Sequence, residues 1–448
     1  MRWEGDELNR LLLTIPVRVR RLVMGGVLAV LVNAVVGPRV RAQDSAAVAA
    51  TPRGCIDAIR RHERDEFLAA RREHRHIDIA KLRAESAERA RACAARFDPA
   101  TIPPAWREDL GTLYLLVGDA AHAHAAFAAV LDVPGLSDSA RASTIVRIMS
   151  AYGNAPQIGA DTVLASAERL VAMVDSIPGV AMQKVQAHGM IMGWYHDPGT
   201  EAKVTANANA VLALVGRLSP SEQKASAFQL LDAFQERAAE QASALHVDSA
   251  LATLLGAPQA LPGIPDAQKT LADAVALYRQ VGQPAPAVHA DYRINGDAKP
   301  FAGRVSILSF TANWCKPCKV SYPGLQELSK RYASKGLQVE LLVDLDGTFG
   351  GVRMNPPQEV EANRKYFDEE HGLSFPIAIQ RSAFRASVGE TAPPADTANS
   401  RAYHVHVLPS FFVIDRHGVI RGVLQGWDPG GDIGRALAAL VDRLLAQG

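Results

Sequence analysis

The chain has 448 residues, and 48% of them are hydrophobic, so it is too long for one ordinary domain. Its 48 basic and 47 acidic side chains nearly cancel, which gives no support for nucleic-acid binding. Four cysteines are too few for a fold built on disulfides. These totals predict two folded domains, and the abundance of alanine favours helix in much of the chain.

The first 42 residues have the pattern of an export signal. Arginines precede an apolar run at residues 22–36, and Val40 and Ala42 occupy the small positions of a cleavage site. The run is about 15 residues long, shorter than the roughly 20 of a membrane-spanning helix. We expect residues 1–42 to be either a cleaved signal or a retained membrane anchor, rather than a buried helix of the folded protein. Both alternatives place the remainder in the periplasm or another extracytoplasmic compartment, where disulfides are permitted.

Residues 44–280 are predicted to be helical, because apolar residues recur at spacings of three and four. The segment "WREDLGTLYLLVGDAAHAHAAFAAVLDVPG" follows a spacing similar to that of tetratricopeptide repeats. Gly111 and Ala123 would let two helices approach, while Tyr114 and Phe127 would fill the space between them. The pattern therefore predicts an all-α domain, which is either a tetratricopeptide-like array or a plain helical bundle.

Two cysteines fall in this helical region. Cys55 and Cys93 lie on neighbouring predicted helices. In an exported chain we expect them to form a structural disulfide that joins the two helices, the alternative being two free thiols.

The pattern changes after two proline-bearing stretches, the second of which ends near residue 290. Short β-rich runs then alternate with helix-length segments, and the chain closes on a helix. The strand-like runs are at 304–310, 337–345, 375–380, 410–415 and 419–427, and the helical segments are at 315–332 and 432–446. This order predicts an α/β domain over residues 286–448, with a mixed sheet flanked by helices.

The stretch "FTANWCKPCKVSYP" contains the other two cysteines at the start of a predicted helix. Disulfide exchange needs one reactive thiolate and a second thiol near enough to resolve the mixed disulfide. Cys315 at the helix N-terminus is favoured as the thiolate by the unpaired N–H groups and the helix dipole, and Cys318 lies one turn further in. Pro317 fits the first turn, and Lys316 and Lys319 are expected to lower the pKa of Cys315 further.

A zinc site would need two more ligands at suitable spacing. The remaining cysteines lie far away in the helical region, so no metal is expected. A redox-active disulfide needs no organic cofactor either.

Residues 286–448 resemble the thioredoxin fold of the exported TlpA/ResA-like thiol–disulfide oxidoreductases. Trp314 precedes the cysteine pair, and Pro323 follows Cys315 by eight positions. The run "VLPSFFVID" is similar to the family's cis-proline strand, with Pro409 as the cis-proline and Leu408 before it. The resemblance implies that Trp314, Lys316, Pro317, Leu408 and Pro409 shape the site.

The sequence departs from the family at two positions. Ser309 stands where thioredoxins have a buried Asp, and Ser321 stands where ResA-like proteins often have an acidic residue. Ser309 does not accept a proton as a carboxylate does, so Cys318 must lose its proton to water or to another group. Two stretches, at 347–358 and 383–404, are longer than in a minimal domain, and the second is expected either to border the substrate groove or to be a surface insertion.

The resemblance further implies a protein disulfide reductase with Cys315 as nucleophile and Cys318 as resolving thiol. Electrons would come from a membrane thiol carrier, and the substrates would be protein disulfides such as those of apocytochrome c. Oxidase and isomerase activity remain open alternatives. A rival from another class is an adaptor, in which the helical array binds a partner and the thioredoxin domain only docks.

Some polar residues have a simpler interpretation. Asp344 and Asp346 lie at the end of a predicted strand and are interpreted as solvated loop residues, the alternative being that they face the active-site end of the sheet. His62, His74 and His76 lie among charges and are interpreted as a solvated helix face.

Overall fold

A computed structural model describes the chain over most of its length. The described residues are 50–73, 77–195, 200–261, 263–299, 301–350, 352–381, 398–427 and 432–447. The predicted export segment and the residues His74 and His76 lie outside them. None of the helices in these ranges is long and apolar enough to cross a membrane.

The contacts divide the described chain into two compact units. One contains residues up to 195 together with 210–230, and the other contains 200–209 and 231–447. The change from helix to sheet comes later, between Tyr278 and Tyr292. The domain ranges 44–280 and 286–448 follow that change in secondary structure and remain a prediction.

Helices occupy the chain from Pro52 to Tyr278, as the apolar spacing predicted. They are α1 Pro52–Glu73, α2 Ile79–Ala94, α3 Arg107–Leu116, α4 Ala120–Leu131, α5 Asp138–Gly153, α6 Ala160–Asp175, α7 Ala181–Met192, α8 Glu201–Leu214, α9 Pro220–Ala225, α10 Ala227–Ser243, α11 Val247–Gly256 and α12 Pro265–Tyr278. Several begin at a side chain that accepts a hydrogen bond from a free N–H of the first turn, as Asp78, Asp119 and Ser137 do.

The α3–α4 hairpin depends on small residues at the helix contact. A Cβ placed on Gly111 would lie 2.5 Å from the ring of Phe127, and Ala123 is fully buried. The glycine therefore makes room for the aromatic ring, as its spacing predicted. A tetratricopeptide-like array requires more than this one hairpin and stays a prediction.

A disulfide joins α1 to α2. Cys55 and Cys93 are bonded, and their Cα atoms are 6.3 Å apart. Both side chains are buried in a core cluster with Ile56, Ile59 and Leu110. On the outer side of the same helices, His62 approaches the carboxylate of Glu85 at 3.4 Å.

The C-terminal part contains a mixed six-stranded sheet. Its strands are β1 Tyr292–Ile294, β2 Val305–Thr311, β3 Leu337–Leu345, β6 Ile377–Arg381, β7 Ser410–Ile414 and β8 Ile420–Gln425, and β4 Thr348–Phe349 and β5 Val352–Arg353 form a separate hairpin. The order across the sheet is β1-β6-β3-β2-β7-β8. The central strands β2, β3 and β6 are parallel, and the others pair antiparallel.

Three helices accompany the sheet strands: α13 Lys316–Tyr332, α14 Pro356–Arg364 and α16 Asp432–Ala446, and a short α15 spans Ala398–Ala402. Helices α13 and α16 share one buried core with the strands. The parallel order of β2 and β3 matters for the site, because their carboxyl ends meet at one edge, where α13 begins. Strand β1 was not predicted, since a three-residue edge strand is too short to show an alternating pattern.

We predict that Gly111→Ala lowers the free energy of unfolding by about 1–3 kcal/mol, because its Cβ would overlap the Phe127 ring. Urea unfolding measures the effect. Gly216→Ala is the control, since open space surrounds that position. In a Phe127→Leu background the same Gly111→Ala change should cost less, and an equal cost in both backgrounds would contradict the contact.

We predict that Cys55→Ala combined with Cys93→Ala lowers the free energy of unfolding by roughly 2–4 kcal/mol, because a long loop is then unconstrained in the unfolded chain. The matched variant is Cys315→Ala with Cys318→Ala. The Cys315–Cys318 disulfide joins residues with a sequence separation of 3, whereas Cys55 and Cys93 are separated by 38. Removal of the Cys315–Cys318 disulfide should therefore change stability less. Equal urea midpoints for wild type and the Cys55/Cys93 variant would contradict the prediction.

Candidate active site

The cysteine pair lies at the junction of β2 and α13. Cys315 is the N-cap residue of α13, and Cys318 is in the first turn, where the backbone N–H of Cys318 donates to Cys315 Sγ at 3.2 Å. The two sulfurs are bonded at 1.99 Å. Pro317 occupies the first turn, where its missing N–H leaves no hydrogen bond unmade. A helix N-terminus therefore faces the sulfur that would carry negative charge after reduction.

The sulfur atoms are less exposed than the tryptophan beside them. Cys315 is 4% exposed, Cys318 is fully buried, and Trp314 is 47% exposed. Of the two cysteines, Cys315 is thus the one that an incoming sulfur can reach.

The predicted cis-proline loop lies in this part of the core. The Leu408–Pro409 peptide bond is cis, and Leu408 packs against the core cluster that includes both cysteines. The loop is tied down on both sides: Ser410 Oγ donates to the carbonyl of Val407 at 2.7 Å, and the N–H of Gly426 donates to the carbonyl of Pro409 at 2.8 Å.

The two lysines of the motif have different surroundings. Lys316 is exposed at the first position of α13. Lys319 extends over the ring of Tyr366, with its ammonium 5.3 Å from the ring centroid. Burial and the charge of Glu370 raise the pKa of Tyr366 to about 12, so this ring stays neutral. The effect of Lys319 on the pKa of Cys315 stays a prediction.

Hydroxyl groups stand at the two positions where the sequence resemblance led us to look for acids. Ser309 is buried on β2, and no partner to its Oγ occurs among the described residues. Ser321 Oγ donates to the carbonyl of Cys318 at 2.6 Å. Thr311 and Tyr322 share a buried hydrogen bond of 2.8 Å, and burial raises the pKa of Tyr322. These groups do not supply a proton acceptor near neutral pH.

Asp346 contacts the site, contrary to its interpretation as a solvated loop residue. Trp314 Nε1 donates to its carboxylate at 2.5 Å. The turn that carries Asp346 is held by the buried Glu359, whose carboxylate accepts from the N–H groups of Asp346 at 2.6 Å and Gly347 at 2.8 Å. The alternative interpretation, that Asp346 faces the active-site end of the sheet, agrees with this contact, because Asp346 directly follows a parallel strand next to β2 and carboxyl ends of parallel strands share one edge.

A small cavity lies beside Trp314, and we call it the Trp314 cavity. Its lining residues come from the ends of β2 and β3 and from the segment before the cis-proline: Phe310, Thr311, Ala312, Trp314, Leu342, Asp344, Asp346, Ser400, Val405, His406 and Leu408. Ser400 Oγ donates to Asp344 at 3.1 Å. Residues 398–404, the described end of the second long stretch, thus reach this cavity through Ser400, whereas residues 382–397 lie outside the described part.

The described residues hold no cluster of three or more His, Cys, Asp or Glu side chains arranged for a metal ion. The site consists of a disulfide, a helix N-terminus and an aromatic side chain.

Comparison with known proteins agrees with this geometry. Residues 280–440 match the family model described as Redoxin. Thiol-disulfide oxidoreductase ResA of Bacillus thuringiensis subsp. konkukian is 28% identical over 130 residues, which cover 29% of this chain and 60% of the relative. ResA of Geobacillus kaustophilus is 29% identical over 140 residues, covering 31% of this chain and 65% of the relative.

Among solved structures, StoA from Bacillus subtilis is 23% identical, with 34% of this chain and 99% of that chain covered and a TM-score of 0.24. The matched region of this chain spans about 60% of the length of the curated ResA relative of Bacillus thuringiensis. The C-terminal part thus contains a Redoxin domain similar to thioredoxin-like thiol–disulfide oxidoreductases.

We predict that Lys316→Gln raises the pKa of the reduced Cys315 thiol by about 0.2–0.7 unit, the equivalent of one exposed charge interaction. The rate of alkylation by iodoacetamide against pH measures it. Lys330→Gln is the matched control, because Lys330 is also exposed but lies in the last turn of the same helix. Equal shifts in both variants would contradict a local effect of Lys316.

Proposed function

We propose that the protein is an exported thiol–disulfide oxidoreductase that uses the Cys315–Cys318 pair, most effectively as a disulfide reductase. The observation that carries this proposal is the disulfide at the N-terminus of α13, with Cys315 as N-cap and the cis Leu408–Pro409 bond in the adjoining core. Similarity of residues 280–440 to Redoxin domains supports the same chemistry.

The roles follow from exposure and position. Cys315 is the nucleophile because it is the more accessible sulfur and because the helix N-terminus stabilises its thiolate. Cys318 is the resolving thiol, since it is buried within one turn of Cys315. Trp314, Leu408 and Pro409 shape the surface that a substrate segment meets, and Lys316 and Pro317 complete the first turn of the helix.

The substrates, the electron donor and the compartment of this reaction are also part of the proposal. The substrates are protein disulfides or thiols, apocytochrome c cysteines among them, and a membrane thiol carrier supplies the electrons. Residues 1–42 direct the chain to the periplasm or another extracytoplasmic compartment, either as a cleaved signal or as an anchor at 22–36. The helical part, in a tetratricopeptide-like arrangement, would bind a partner protein. The Cys55–Cys93 disulfide stabilises this helical part.

The reduction potential of the Cys315–Cys318 pair in the full chain tests the proposal, measured by equilibration with glutathione. A value near or below roughly −250 mV is expected for a reductase, whereas one near −120 mV would indicate an oxidase. Cys315→Ser keeps the Cys55–Cys93 disulfide and is the control for the contribution of that disulfide to the measured potential. If the wild-type pair does not cycle, exchange activity is excluded and the adaptor alternative is favoured.

A further inference from the structure

Proton transfer in this site lacks an obvious donor or acceptor. Disulfide exchange releases a thiolate, which must gain a proton, and requires a thiol to lose one. Ser309, buried on β2, has a hydroxyl that does not titrate in the neutral range. The hydroxyls of Thr311 and Tyr322 bond to each other, so these two groups are already engaged.

The Trp314 cavity offers another source. Two of its three ionisable side chains are already engaged, because Asp346 accepts from Trp314 and Asp344 accepts from Ser400. The third is His406, which precedes the cis-proline by three positions. Imidazole is the side chain that ordinarily titrates near neutral pH. The side chain of His406 is 40% exposed, so it exchanges protons with solvent.

Helix α12 places a carboxylate near this histidine. Nε2 of His406 lies 3.9 Å from the carboxylate of Asp273, which also pairs with Lys269 at 2.8 Å. Burial lowers the pKa of His406, and Asp273 opposes this effect while Lys269 and His404 add to it. The carboxylates of Asp344 and Asp346 face the same cavity from the end of β3. The imidazole therefore lies near the carboxylate of a residue outside the Redoxin match, which begins at residue 280.

We propose that His406 is the proton donor of the exchange reaction, with Asp273 beside it. The inference rests on the proposed function. In the reductive direction, the Cys315 thiolate attacks one sulfur of the substrate disulfide, the S–S bond breaks, and the leaving substrate thiolate takes a proton from the His406 imidazolium. Cys318 loses its proton to solvent and attacks Cys315 Sγ, which releases the second substrate thiolate to be protonated by water. The substrate gains two electrons and two protons, and the cysteine pair becomes a disulfide.

The test is the pH dependence of the second-order rate of reduction of a synthetic peptide disulfide by the reduced full chain. Each rate is divided by the fraction of Cys315 present as thiolate, which alkylation measures separately. The pH dependence that remains is then that of the proton donor. This corrected rate should fall as pH rises through the His406 pKa, below the usual value for imidazole. His406→Gln should abolish the fall and lower the corrected rate at acid pH by about a hundredfold, the lower limit usual for a positioned proton donor.

Two further variants make the assignment specific. Asp273→Asn retains the imidazole but removes the carboxylate that raises its pKa, so the same fall should move to lower pH. His404→Asn is the matched control, because His404 lies two residues away with a positive φ of 49° that asparagine tolerates, and it lines a different groove beside α12. Its profile should keep the full fall in the corrected rate, at the same or slightly higher pH, because His404 adds to the lowering of the His406 pKa.

The outcomes separate this inference from the proposed function. An unchanged profile in His406→Gln, or an equal loss in His404→Asn, overturns the role of His406 while leaving thiol–disulfide exchange intact. A wild-type pair that does not cycle with glutathione overturns the exchange function itself. Glutathione equilibration of His406→Gln should show that the pair still cycles, which distinguishes loss of the proton donor from loss of the exchange function.

Discussion

The start of α13 at the end of β2 is the constraint on which the site depends. Because Cys315 caps the helix, its sulfur already accepts the N–H of Cys318, and the helix dipole points at the same atom. The disulfide, the burial of Cys318 and the accessible position of Cys315 all follow from that placement. The parallel pairing of β2 and β3 then brings the carboxyl end of β3 to the same edge, which adds Asp346 to the surroundings of Trp314.

Charged residues of both signs occur near the cysteine pair. Lys316 lies on the first turn of α13, whereas Asp344 and Asp346 line the Trp314 cavity. The buried Glu359 keeps this arrangement fixed, since its carboxylate holds the backbone of the turn that carries Asp346.

The segment before the cis-proline is joined to residues that precede the sheet. Gln280 donates to the carbonyl of Tyr403 at 2.6 Å, and the Tyr403 hydroxyl donates to the carbonyl of Pro286 at 2.6 Å. Asn399 pairs with both backbone groups of His289. With Asp273 beside His406, these contacts make the end of the helical region part of the support of the redox site rather than a separate attachment.

The sequence alone determined the local features. Apolar spacing predicted the helices up to Tyr278, the alternating runs predicted β2, β3, β6, β7 and β8, and Cys-Lys-Pro-Cys after a strand predicted a helix capped by Cys315. Tertiary structure alone decided that Lys319 lies over Tyr366, that Asp346 binds Trp314 and that Asp273 faces His406. Each of these contacts joins residues far apart along the chain, so it depends on strand register and on how the helices pack, which local propensity and spacing do not encode.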